Sequence, residues 1–187
     1  MKAETHIPMI KGVFVNSHVK AVRKRKGEAG VRLLESKYGA SVSFKYLDDV
    51  PIREEVRIIE FALDILSEQP VPPGERAFEA GRLHFRNFST TPVGRLILNM
   101  LPRKFKYIML GIPNIATHVF RNVQFSAKDI GPCAVQITMR NNDYPADHFR
   151  GLFFEWMNFW NYPGEVNASV TGPDEYEYVL RWKETSK

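Results

Sequence analysis

Hydrophobic positions between Asn122 and Trp182 switch from a period of two to a helical period and back, and no other stretch of the chain is patterned so consistently. Val123 and Phe125 alternate with Gln124 and Ser126; after Asp129-Ile130-Gly131-Pro132, Val135, Ile137 and Met139 alternate with Gln136, Thr138 and Arg140. Period two on both sides of a turn predicts a half-buried antiparallel hairpin. Over 145–160 the apolar positions become Phe149, Leu152, Phe153, Trp156, Phe159 and Trp160, which predicts an amphipathic helix with an aromatic face. Past the stop Asn161-Tyr162-Pro163-Gly164, Val166, Ala168 and Val170, then Tyr176, Tyr178, Leu180 and Trp182 around a Gly172-Pro173-Asp174 turn, predict a second hairpin. Four strands with one apolar face require a cover, and the aromatic helix is the element suited to it. The helix between the hairpins leaves the strand order open.

The N-terminal part is patterned for helices. Phe14, His18, Val19 and Val22 share a helical face over 12–26, ahead of Gly27; Val31, Leu34 and Tyr38 share the next, with Gly39 as its stop. Residues 41–46 are a short strand or an extended linker. Asp49 and Pro51 start a helix with Val56, Ile59, Ala62, Leu63 and Leu66 on its buried stripe, and the prolines of 69–74 end it. Further helices are predicted over 75–88, from Thr91-Pro92 to Leu101, and through Phe105, Ile108 and Met109 to Gly111; 112–120 then lead into the sheet unit. The expected fold is α+β: one domain over 1–187, helical over about 10–118 and sheet-forming over about 119–183. Residues 1–8 are expected to be a poorly ordered lead-in.

A chain of 187 residues that is 44% hydrophobic can bury a substantial core. The lone Cys133 excludes an internal disulfide framework and a multi-cysteine metal site within one chain. No apolar run reaches the length of a membrane span, and the N-terminus lacks a signal-peptide core, so the expected setting is cytoplasmic. The net charge of +5 permits contact with an anionic surface or nucleic acid without requiring it. Arg23, Lys24, Arg25 and Lys26 are the candidate anion-binding group, although four charges without interleaved aromatics read first as a solvated helix end.

Met9-Ile10-Lys11-Gly12-Val13-Phe14-Val15, followed by two short helices, and the later succession of hairpin, helix and hairpin resemble the heme nitric oxide/oxygen binding domains, and with them the 4-vinyl reductase and transport-particle domains. Glu79-Ala80-Gly81, Thr91-Pro92-Val93-Gly94-Arg95, Leu101-Pro102, Gly151 and Arg181-Trp182 are similar to an uncharacterised bacterial family common in myxobacteria. The heme-binding version of the fold implies a proximal histidine ahead of the sheet and a Tyr-x-Ser-x-Arg motif for the propionates. His118 falls roughly at the first place; Gln136-Ile137-Thr138-Met139-Arg140-Asn141 stands at the second and keeps only Arg140. On that ground no cofactor, heme included, is expected.

Candidate chemistry is sparse. His84 lies among aromatics and reads as packing; Cys133 begins a strand with no base at a suggestive distance. Asp48-Asp49, Glu54-Glu55 and Glu175/Glu177 read as helix-start or solvated charge. There is no phosphate-cradling glycine loop, nucleophile elbow or zinc spacing, so neither catalytic nor metal-ligating residues are assigned. The function expected from these observations is a non-catalytic regulatory or adaptor domain. It would bind an apolar small molecule or a protein partner through Phe78, Phe85, Phe88, Phe105, Met109, His118, Phe153 and Trp156. A heme-based gas sensor and binding of nucleic acid or an anionic surface are the alternatives, and a homodimer through the N-terminal helices is the expected assembly.

Overall fold

A computed structural model describes residues 7–183; the lead-in expected over 1–8 lies mostly outside them. The C-terminal unit follows the alternation. Strands β4 (Gln124–Gly131), β5 (Ala134–Arg140), β6 (Gly164–Gly172) and β7 (Glu175–Trp182) form an antiparallel sheet of order β4-β5-β7-β6. Helix α7 (Ala146–Phe159) therefore carries the chain from an inner strand to the far edge, and β7 returns to pair with β5. The register sets Val135 opposite Leu180 and Ile137 opposite Tyr178, all fully buried, whereas Gln136 and Glu177 on the other face bond each other at 2.6 Å. The aromatic side of α7 covers the apolar face, with Phe153 and Tyr178 in edge-to-face contact at 5.4 Å.

The helical portion comprises α1 (Gly12–Tyr38), α2 (Ile52–Leu66), α3 (Arg76–Ser89), α4 (Pro92–Met100), α5 (Phe105–Leu110) and α6 (Ile112–Val119). The two helices expected before Gly39 are one run bent at Gly27, whose φ of 65° and ψ of −165° suit glycine alone. Gly39 ends it in the left-handed conformation, and Thr91 caps α4 by accepting a hydrogen bond from the Gly94 amide at 2.9 Å.

Three local expectations are corrected. Asp49–Pro51 is not the first turn of a helix but strand β2; with β1 (Met9–Lys11) and β3 (Phe120–Arg121) it makes a small sheet of order β2-β1-β3. Strands this short carry no readable alternation, and they are held by distant partners: Asp49 binds Lys11 at 2.6 Å and Arg121 at 3.0 Å. Residues 112–119 are helix α6 rather than a connector, because Pro113 sits in a first turn where its missing N–H costs nothing. Residues 41–46 form no strand; Asn16 holds them extended by bonding both the carbonyl and the amide of Phe44. No helix of the described residues is long and apolar enough to cross a membrane.

The most extensive helix contact joins α3 to α7. A Cβ on Gly81 would lie 1.7 Å from the His148 carbonyl oxygen, and one on Gly151 would lie 2.0 Å from that of Phe78. Glycine at both positions lets the two backbones touch. The outer rim of the contact is tied by Arg82, which binds Glu155 at 2.8 Å and Glu79 at 2.9 Å.

Candidate ligand pocket and buried histidine cluster

Between the helical portion and the sheet lies a cavity of about 90 Å³. Phe14 of α1, Phe85 and Phe88 of α3, Ile97 and Leu98 of α4, Ile112, Ile115, Ala116 and Val119 of α6, Phe120 of β3, Phe125 of β4, and Phe149, Leu152, Phe153 and Trp156 of α7 enclose it. His84 is the one imidazole in this wall, and among the lining residues only it and the Trp156 indole carry polar side-chain atoms.

His84 faces two environments. Its Nδ1 lies 3.1 Å from His148 Nε2 and 3.5 Å from Glu55 Oε1, while its Nε2 has no hydrogen-bond partner among the described residues. Glu55 Oε1 in turn lies 2.6 Å from His18 Nε2, and His18 Nδ1 meets the Asn87 amide nitrogen at 3.2 Å. His18 comes from α1, Glu55 from α2, His84 and Asn87 from α3, and His148 from α7. The first turn of α7 brings the Tyr144 ring onto His148 at 4.4 Å. All are buried, Glu55, His18 and Tyr144 at 0% exposure.

Burial alone would push the Glu55 carboxyl up, but the surrounding imidazoles of His84, His18 and His148 outweigh it and hold it at about 2. Burial pushes His84 down to about 4 and His148 down to about 3, against the pull of Glu55. The cluster is thus an ionised carboxylate facing neutral His84 and His148. Burial and the nearby Glu55 charge drive the Tyr144 hydroxyl well above its ordinary range. Glu55 Oε2 and the Tyr144 hydroxyl are both buried without a hydrogen-bond partner.

The structure sorts the residues expected to bind a ligand into two groups. Phe85, Phe88, Phe153 and Trp156 line the pocket. Phe78, Phe105, Met109 and His118 do not: Phe78 lies under the Arg150 guanidinium at 4.4 Å, Phe105 stacks on Tyr162 at 5.2 Å, Met109 is fully enclosed in the core, and His118 is exposed on α6. Arg140 is paired with Glu175 at 3.0 Å, and Cys133 is half-buried. Arg23, Lys24, Arg25 and Lys26 are all exposed, Arg23 being paired with Glu28 at 2.6 Å.

The buried cluster was missed from sequence because its members are scattered over α1, α2, α3 and α7. Its signal was present nonetheless, as a polar residue on an apolar helical stripe in each case: His18 beside Phe14 and Val22, Glu55 beside Ile52 and Ile59, His148 beside Leu152. Glu55 is no solvated helix-start charge, since its position in the turn after Ile52 points it into the core.

No family model matches the chain, and no curated protein does. Solved structures do match. An oxygen-binding H-NOX domain related to soluble guanylate cyclases, in its oxygen complex, superposes with a TM-score of 0.69 at 16% identity, covering 95% of this chain and 100% of that one. A structure titled for modulation of heme redox potential by porphyrin distortion gives 0.67 at 16% identity over 92% of this chain and 99% of that one. A structure of H-NOX activation gives 0.70 at 16% identity over 94% and 97%. The fold is therefore that of the heme nitric oxide/oxygen binding domains. None of the structures named is a 4-vinyl reductase, a transport-particle subunit or a myxobacterial protein of the family considered above.

This comparison overturns the expectation of a chain without a cofactor. That expectation rested on the strand Gln136–Asn141 and on His118, the places where a motif would sit. The structure instead sets an imidazole, His84, in the wall of an apolar pocket on another element, where position-by-position matching does not look.

Proposed function

We propose that this protein is a heme-binding sensor domain that holds the macrocycle in the apolar pocket and presents His84 Nε2 to the iron. The carrying observation is an aromatic and aliphatic wall containing one imidazole whose outer nitrogen is unengaged while Nδ1 is oriented by His148 and Glu55. Such anchoring of the far nitrogen fixes the tautomer and aim of a ligating histidine. When bound, heme supplies a redox-active iron with a coordination position open to a small gas. The pocket wall itself has no serine, cysteine, lysine or carboxylate to perform covalent or acid–base chemistry, in keeping with a sensor.

The residues fit this group with two conditions. The wall holds no arginine or lysine, so the propionates stay at the mouth in water, where their charge needs no buried partner. The cavity of about 90 Å³ is below the roughly 300–1,000 Å³ usual for ligand sites, so a wall must move. Helix α4 is suited to it: it packs mainly on α3, contributes Ile97 and Leu98 to the wall, and leaves Leu96 and Met100 exposed.

The test is reconstitution of the purified chain with hemin, followed by absorption spectroscopy. The expected result is a Soret band that is shifted and weakened by His84→Ala and unchanged by His118→Ala. A spectrum with no Soret band, or one insensitive to His84→Ala, would refute the assignment.

A further inference from the structure

A ligand in the pocket engages His84 alone and leaves His18, Glu55, His148 and Tyr144 without a role. We infer that His18, Glu55, His84 and His148 form a binding site for a divalent first-row transition-metal ion, separate from the pocket.

The donors are His18 Nε2, Glu55 Oε1, His84 Nδ1 and His148 Nε2. The nearest donor atoms of His18, Glu55 and His84 lie within 4.8 Å of one another, and His148 Nε2 is 3.1 Å from His84 Nδ1. Tetrahedral coordination at zinc-like bond lengths places donors about 3.4 Å apart. The His84–Glu55 and His84–His148 separations of 3.5 and 3.1 Å already match this, and only the His18–Glu55 pair at 2.6 Å has to open. Three imidazoles and one carboxylate suit zinc, iron or cobalt, whereas magnesium and calcium prefer oxygen donors.

Hydrogen bonding within the cluster does not satisfy it. Glu55 Oε2 and the Tyr144 hydroxyl are fully buried and unpartnered, and a buried carboxylate with a free oxygen is the group an ion would satisfy. Coordination needs no proton to leave the site. The proton shared by His84 Nδ1 and His148 Nε2 moves to the other nitrogen of its own ring. The one on His18 Nε2 moves to Nδ1, where the Asn87 amide, turned over, accepts it.

The test uses untagged, chelator-treated protein prepared without hemin. Titration with Co²⁺ is expected to give visible ligand-field bands saturating at one ion per chain, and Zn²⁺ is expected to displace it and raise the melting temperature. Glu55→Gln and His148→Gln should each weaken Co²⁺ binding at least tenfold, and His118→Gln should leave it unchanged. Should either cluster variant fail to fold, the wild-type titration alone decides. Folded wild-type protein that takes up neither ion, or uptake that survives both cluster substitutions, overturns the proposal. Because Co²⁺ bands and a Soret band are read separately, loss of one leaves the other standing.

Discussion

Replacing Gly81 by alanine is expected to pry α3 from α7. The new Cβ would sit 1.7 Å from the His148 carbonyl oxygen, 2.7 Å from its carbon and 2.9 Å from the Leu152 nitrogen. Ordinary contact begins at 3.4 Å, so the backbones must part locally by 3.4 − 1.7 = 1.7 Å. No side chain can yield instead, because all three atoms belong to the main chain of a helix. Overpacking of a fitted interface costs about 1–3 kcal/mol. His84 lies one turn along the same face, so the 3.1 Å bond between His84 and His148 stretches as well, at about 1 kcal/mol for a buried hydrogen bond. Alanine returns about 1 kcal/mol through its greater helix propensity. The net expectation is a loss of about 2 kcal/mol, read as a lower urea midpoint at unchanged slope. Gly151→Ala pushes on the same contact from the other side, where its Cβ would lie 2.0 Å from the Phe78 oxygen. The double variant should therefore lose less than the sum of the two. Gly74→Ala, whose Cβ would meet nothing within 4 Å, serves as the control. A Gly81→Ala protein as stable as the Gly74→Ala control would refute the reasoning.

Two further predictions concern the margins of the fold. Thr91→Ala removes the side-chain cap of α4, at about 1 kcal/mol, and because α4 packs on little besides α3, the loss should appear first as faster amide exchange confined to residues 92–100. Asp49→Asn removes the links to Lys11 and Arg121. Hydrogen bonds from Lys11 and then Arg121 hold the Asp49 carboxyl below its ordinary value, so the folded form binds its proton less readily than the unfolded one. The stabilisation is accordingly present above the unfolded value and disappears as pH falls through the folded one. At neutral pH the variant should melt lower, by no more than about 1 kcal/mol for an exposed pair, and the gap should close below about pH 3; a gap that is constant with pH would count against the assignment.

The sheet and its covering helix were legible because their signal is local: a two-residue period, a turn, and an aromatic stripe at helical spacing each declare themselves within about ten residues. The small sheet was not, because Met9, Asp49 and Phe120 lie far apart in the chain and each strand is too short to alternate. The pocket was half legible. Phe85, Phe88, Phe153 and Trp156 were found as large apolar groups on helices, whereas Phe105 and Met109 share that description and face elsewhere, a difference fixed by how α5 packs on the sheet. The histidine cluster was the least legible part, since the proximity of four helices is a property of the assembled fold and appears in no window of sequence.

His84 belongs at once to the pocket wall and to the buried cluster. A neutral imidazole has a single lone pair, on whichever nitrogen lacks the proton. If Nε2 is given to a ligand in the pocket, Nδ1 must carry hydrogen and can only donate toward His148 or Glu55; if Nδ1 is given to the cluster, Nε2 turns a hydrogen toward the pocket. The ring therefore acts as an exclusive-or between two inputs about one imidazole width apart, and the state of either chamber is written into the proton position seen by the other.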